Sequence, residues 1–353
     1  MTRHPVPGLS RIRRVARAVL ALAAASVATC HRDIAGPATA TQLLFSVQPG
    51  NTIAGDLLSP AVKVRAADAQ GHDVPGFTGS VTVGLGANPG GGTLAGTTTV
   101  RAVSGVATFD DLRLNRAGTG YTLTVAASGL TGATSESFAI NPGSATQVAF
   151  TGQPATTVAG QTITPAVQVT ALDPVGNPVP AFTGTVSVSF GNNPGGATLG
   201  GTTSVAAVSG VASFGDLRIT KASAGYWLTA RATGLIRATS SEFVITPATA
   251  TQLAFAVQPG TTVADHQIAP AVKVQALDTF GNLATGFTGG IAVALGNNPG
   301  GATLGGTSAI AAFAGIATFS DLSIKQTGTG YTLAATSTGL SLATSAAFDV
   351  TPG

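Results

Sequence analysis

Apolar and polar positions alternate in short runs along almost the whole chain. Leu43, Phe45 and Val47 fall on one side of a run, with Gln42, Leu44 and Ser46 on the other; Val62, Val64 and Ala66 share a side with Lys63 and Arg65 opposite; Val81, Val83 and Leu85, and later Phe138 and Ile140, continue the pattern. A period of two predicts strands with one face on a core and one in water. About seven such runs occur per hundred-odd residues, separated by Gly, Pro, Asn and Asp, with no helical period longer than a turn, which predicts an all-β, two-sheet sandwich.

The pattern repeats every 105 residues: Tyr121, Tyr226 and Tyr331 keep that spacing, as do Phe45, Phe150 and Phe255, and Pro49, Pro154 and Pro259. Three copies follow without insertion or deletion, at residues 39–143, 144–248 and 249–353. Solenoid repeats of about 20 to 50 residues must borrow a neighbour's core, whereas this period has the size of a unit that folds alone. The expected organisation is three sandwich domains in series, joined by the short linkers Ile140-Asn141-Pro142-Gly143 and Ile245-Thr246-Pro247-Ala248, whose prolines limit bending. Strands of about nine residues would give a reach on the order of 100 Å.

Turn chemistry sharpens the picture. Asp173-Pro174-Val175-Gly176-Asn177 places Pro, Gly and Asn where a turn needs fixed or positive φ, and Asp68–His72 and Asp278–Asn282 are its equivalents. Phe109 and Leu112 are three apart, which breaks the alternation and puts a turn or bulge at Asp110-Asp111, and likewise at Gly215-Asp216 and Ser320-Asp321. Tyr121, Tyr226 and Tyr331 each follow a Gly and stand two residues before an inward Leu (Leu123, Leu228, Leu333), the spacing of the tyrosine corner of immunoglobulin-like sandwiches. Its hydroxyl is expected to bond backbone a few residues upstream, Leu123 takes the place of the second disulfide cysteine, and Thr122 is expected to face water. A unit of this length buries enough surface to do without the disulfide.

With these residues in view, D-P-V-G-N-P-V at Asp173–Val179, the Phe-Thr-Gly that follows, Gly210-Val211-Ala212-Ser213-Phe214 and Gly225-Tyr226, the chain resembles the bacterial immunoglobulin-like repeats of the invasin and intimin type. The resemblance covers residues 39–353 and implies three tandem immunoglobulin-like domains, used outside the cell as a spacer or adhesive stalk.

The first 29 residues read as a secretory signal: Arg3, Arg11, Arg13, Arg14 and Arg17 precede an apolar run from Ala18 to Ala28, too short to span a bilayer, which needs about 20 residues. Val27-Ala28-Thr29-Cys30 resembles a lipobox, with Thr29 where that motif has Gly, Ala or Ser, and residues 30–38 form a linker behind the lipidation candidate Cys30. Cleavage after Ala23-Ala24-Ala25 would instead leave Cys30 a free thiol; as the one cysteine of the chain it has no internal disulfide partner. Without the signal the charge falls from +3 to −2, with 12 basic against 14 acidic residues and no basic stripe. Nucleic acid and polybasic membrane binding are therefore not expected. With 44% apolar and only 9% charged residues, the chain can bury enough surface to fold.

Candidate chemistry is sparse. His4, His31, His72 and His266 have no counterparts at the same position in another copy, so no histidine-based site is predicted, and neither catalysis, a cofactor nor a metal is expected. Asp110, Asp111, Asp216 and Asp321 have the oxygen chemistry of calcium ligands but no D-x-D-x-D-G run, and read as turn residues. The loops Asn88-Pro89-Gly90-Gly91-Gly92, Asn193-Pro194-Gly195-Gly196 and Asn298-Pro299-Gly300-Gly301 lack the Lys and helix of a phosphate cradle, yet as exposed loops they are candidate ligand sites at Asn88, Asn193 and Asn298. Trp227, where the other copies have Thr122 and Thr332, is a candidate sugar platform. The expected function is an exported, non-enzymatic, monomeric repeat protein of a bacterial envelope, an outer-membrane lipoprotein or secreted, that touches membrane only through its lipid and serves as a stalk or scaffold for a cell-surface protein or glycan. The alternative is a carbohydrate- or matrix-binding module using the Asn-Pro-Gly-Gly loops.

Overall fold

The computed structural model describes residues 38–353; the signal segment, Cys30 and all but the end of the first linker lie outside the described residues. Ala40–Gly353 forms one compact unit. Its described residues are strands, turns and bends with no helix. The chain is all-β, and its repeats are immunoglobulin-like sandwiches.

In repeat 1 the strands are β1 (Gln42–Val47), β2 (Thr52–Ile53), β3 (Val62–Ala67), β4 (Ser80–Leu85), β5 (Leu94–Ala95), β6 (Thr99–Arg101), β7 (Val106–Phe109), β8 (Arg113–Leu114), β9 (Gly118–Tyr121), β10 (Leu123–Ala126), β11 (Ala133–Thr134) and β12 (Phe138–Asn141). One sheet has the order β1-β3-β7, with Val62 opposite Phe109 and Val64 opposite Ala107. The other face is built from β11-β10-β4-β6 and from β12 between β9 and a parallel β2. The seven longer runs seen in the sequence correspond to β1, β3, β4, β6, β7, the β9–β10 pair and β12. The two-residue strands β2, β5, β8 and β11 carry no alternation of their own and escape such a reading.

Val62, Val64 and Ala66, then Val81 and Val83, turn inward as the alternation requires, and meet Phe109, Leu112, Leu114, Leu123 and Ile140 in a core buried to within 2%. Repeats 2 and 3 have equivalent cores around Phe214 and Phe319. In each, the corner tyrosine is fully buried, and its hydroxyl donates five residues upstream: Tyr121 to the Arg116 carbonyl at 2.8 Å, Tyr226 to Lys221 at 2.8 Å and Tyr331 to Gln326 at 3.0 Å. The rings lie tilted on Phe138, Phe243 and Phe348, with centroids 6.0, 5.9 and 6.1 Å apart.

Thr122 departs from expectation. It is half-buried, and its hydroxyl accepts the Ala87 N–H at 2.8 Å, as Thr332 accepts that of Asn297 at 2.7 Å. The bond pins the chain between β9 and β10, where the Thr122 backbone also bonds Gly86 and Ala87. Trp227 has no hydroxyl to offer there, and in repeat 2 the ladder continues: one strand runs Ser223–Ala232 against Thr185–Asn192, with Asn192 opposite Trp227 across a bulge.

Because no sheet crosses from one repeat to the next, residues 144–248 expressed alone should unfold in one cooperative transition in urea. A broad, non-cooperative loss of signal would show that the repeats depend on one another for their cores.

Candidate interaction surfaces

The predicted ligand loops are closed on themselves. Asn88 donates to the Gly92 carbonyl at 2.9 Å and accepts the Gly92 N–H at 2.8 Å; Asn193 does the same with Ala197, and Asn298 with Ala302. A Cβ on Gly90, Gly195 or Gly300 would run into the corner tyrosine hydroxyl. Each loop is thus packed over the tyrosine corner, and each Asn amide holds the loop instead of reaching outward. Trp227 is half-buried over Gly191, where a Cβ would overlap its ring, a cross-strand aromatic covering a bare glycine. Asp111, Asp216 and Asp321 accept the N–H and hydroxyl of Thr97, Thr202 and Thr307 at 2.7–2.9 Å. They clamp a turn fourteen residues away, a long-range role that local turn propensity does not suggest. Among the described residues no group of three or more His, Cys, Asp or Glu is placed to hold a metal ion.

The joints between repeats hold the densest polar network. Asp173, fully buried in the turn after the third strand of repeat 2, accepts the N–H groups of Val175 and Asn177 on one oxygen, and the Asn177 side chain and the linker Gly143 N–H on the other, at 2.8–3.0 Å. Asn177 then reaches into repeat 1: its amide donates to the Asn115 carbonyl at 3.1 Å and its carbonyl accepts the Ala117 N–H at 3.0 Å. The second joint copies the first, with Asp278 taking Ala248, and Asn282 bonding the Thr220 carbonyl at 2.8 Å and the Ala222 N–H at 3.0 Å. Both amide donors and the carbonyl oxygen of each Asn are thereby bonded. Repeat 1 keeps the turn but not the reach: Asp68 caps Gln70 and His72, and His72 is largely exposed.

Burial alone would raise the Asp173 and Asp278 carboxyls, but the Asn side chains and the converging amides outweigh it and hold both below the ordinary 3.8. A carboxyl depressed in the folded state stabilises above its unfolded value near 3.9, and that stabilisation is lost as pH falls through the folded value. The gap in melting temperature between the native chain and the Asp173→Asn/Asp278→Asn double variant should therefore be widest near pH 6 and shrink as pH falls below about 3.9. An equal gap at both pH values would mean that the charge contributes nothing to the joints.

At the β6–β7 hairpin and its equivalents, Val103, Val208 and Phe313 stand 75%, 76% and 87% exposed, each before a two-residue turn whose first residue has positive φ. The signal available in the sequence was an apolar residue before Ser-Gly or Ala-Gly in all three copies. Among the described residues, five open grooves of about 230–340 Å³ lie elsewhere on the surface, and none of the five is lined by a carboxylate, histidine or cysteine.

No family model matches the chain, and none of the curated proteins matches it. Among solved structures it is similar to FdeC, an adhesin of Escherichia coli, at 16% identity and a TM-score of 0.35, covering 91% of this chain and 99% of that one. InvD of Yersinia pseudotuberculosis is 18% identical with a TM-score of 0.31, over 87% and 95% of the two chains. Invasin, a bacterial integrin-binding protein, is 12% identical with a TM-score of 0.30, over 88% of this chain and 60% of that one. At these identities none of the three assigns a role to a residue of this chain.

Proposed function

We propose that the protein is a non-enzymatic, exported immunoglobulin-like repeat protein of the bacterial surface, held to the envelope through a lipidated Cys30 and acting as a monomeric stalk or interaction scaffold. The observation that carries this reading is the pair of joints built from the same bonds at Asp173–Asn177 and Asp278–Asn282, because fixing one repeat on the next is what a spacer requires and what a catalyst does not. The Asn and Asp side chains that suggested ligand chemistry hold loops and turns instead. Val103, Val208 and Phe313 are the natural contact points for a surface partner, since exposed apolar groups repeated at one position favour multivalent contact. The names of FdeC and invasin, an adhesin and an integrin-binding protein, are in keeping with this reading.

The alternative, a carbohydrate module, has less support because the Asn88, Asn193 and Asn298 amides are already bonded. Fractionation of native cells, protease shaving of intact cells and mass spectrometry of the mature N-terminus test the placement: the chain should be shaved from outside, in the membrane fraction, with acylated Cys30. An unmodified terminus with soluble protein would overturn the anchor. Binding on a glycan array that Asn193→Ala and Trp227→Thr abolish would transfer the assignment to the carbohydrate reading.

A further inference from the structure

Each joint has two halves, and the three repeats do not carry them equally. One half, a plug, is the turn that supplies Asn177 or Asn282 together with an apolar residue two positions before it, Val175 or Phe280. The other half, a socket, is the distal surface of the preceding repeat, where Gly160 lies under Phe280 and Gly55 lies beside Val175, which stays 40% exposed. A Cβ at Gly55 would stand 3.2 Å from Val175, and one at Gly160 would fall inside the Phe280 ring. Phe280 packs partly against the core of repeat 2, and Lys221 donates to its carbonyl at 3.2 Å.

On the faces of repeats 1 and 3 that take no part in a joint the same positions change. In repeat 1, Gln70 stands where Val175 and Phe280 are, and His72 where Asn177 and Asn282 are. In repeat 3, Asp265 replaces the socket glycine and keeps its left-handed backbone at φ 68°, while Lys325 replaces Asn115 and Thr220 and lies 3.8 Å from the Asp265 carboxylate. An ion pair therefore sits where an apolar side chain would have to enter, and a charged pair stripped of water without good partners is costly.

We infer that the joints are matched plug-and-socket interfaces and that the outer faces of repeats 1 and 3 are built as ends, unable to dock another copy of this repeat in the same way. The inference concerns how repeats recognise one another and does not depend on where the protein is displayed. The test transplants each natural end into the second joint of the full-length protein. One variant takes the repeat 3 end (Gly160→Asp with Thr220→Lys), the other the repeat 1 end (Phe280→Gln with Asn282→His). These residues already occur at the equivalent positions of a folded repeat, so the sandwiches should persist, which urea unfolding of the same samples checks. In a Cys30→Ser background, spin labels at the exposed Ser187→Cys and Ser308→Cys report the distance between repeats 2 and 3 by pulsed electron resonance. The unaltered joint should give one narrow distance distribution, and each transplant should broaden it about twofold or more, as for an ordinary linker. A narrow, unshifted distribution in either transplant, or a broad one in the unaltered joint, overturns the inference.

Discussion

Tyr226→Ala is expected to destabilise repeat 2 by about 3 to 5 kcal/mol, a large part of the stability of a domain this size. The ring is fully buried between Phe190 and Phe243, with centroids 5.6 and 5.9 Å away, so its removal opens a cavity. The Lys221 carbonyl also loses its donor, and the Asn193 loop loses the hydroxyl over which Gly195 is packed. Tyr226→Phe keeps the ring and removes only the bond, at a cost of about 0.5 to 1.5 kcal/mol. Thr122→Ala in repeat 1 is expected to cost about 1 kcal/mol, because its hydroxyl accepts the Ala87 N–H. Urea unfolding of the full-length chain, followed repeat by repeat, measures all three. A Tyr226→Ala effect no larger than that of Tyr226→Phe would show that the ring does not fill the core as described.

The second large effect belongs to the joints. Asp278→Ala removes an acceptor from four donors at once: the N–H groups of Ala248, Phe280 and Asn282 and the Asn282 side chain. Buried donors left unpaired, and bonds to a charged group lost, together should cost about 3 to 5 kcal/mol and lower the transition of repeat 3. Asp68→Ala is the comparison, since Asp68 caps the same turn next to an exposed His72 that makes no bond to another repeat. Its cost should be smaller by about half or more. Equal costs in the two repeats would mean that the turn alone, and not the joint, accounts for the Asp278 effect.

Much of the fold was legible because its causes are local or periodic. Val62, Val64 and Ala66 announce a strand by alternation, and Tyr121 with Leu123 announces the corner by spacing. The reach of Asn177 back to Asn115 has no local signature: the partners are about sixty residues apart and meet only when two sandwiches are already formed, so Asp173–Asn177 reads in isolation as a good turn and nothing more. Thr122 was misplaced for a related reason, since alternation assigns a face but does not say which outward hydroxyl will cap a neighbouring strand. The Asn-Pro-Gly-Gly loops are largely exposed, as glycine and asparagine suggest; what the sequence does not show is that each Asn side chain bonds its own loop and that a tyrosine packs beneath it from elsewhere in the sandwich. One trace of the joints did stand in the sequence, in the places where the copies disagree: Gly55 and Gly160 against Asp265, and Asn177 and Asn282 against His72.

Repeat 2 is the one copy that carries both halves of the joint, with Val175 and Asn177 on one side and Gly160, Thr220 and Ala222 on the other. That makes it a unit of growth. A gene that duplicated residues 144–248 in tandem would lengthen the protein by one complete module with every interior contact satisfied, and each further duplication would do the same. Duplicating repeat 1 or repeat 3 would instead bury an end in the interior and insert a hinge. Homologous chains of different length are accordingly expected to vary in their middle modules while the first and last stay single, a history that alignment of such chains by module can read directly.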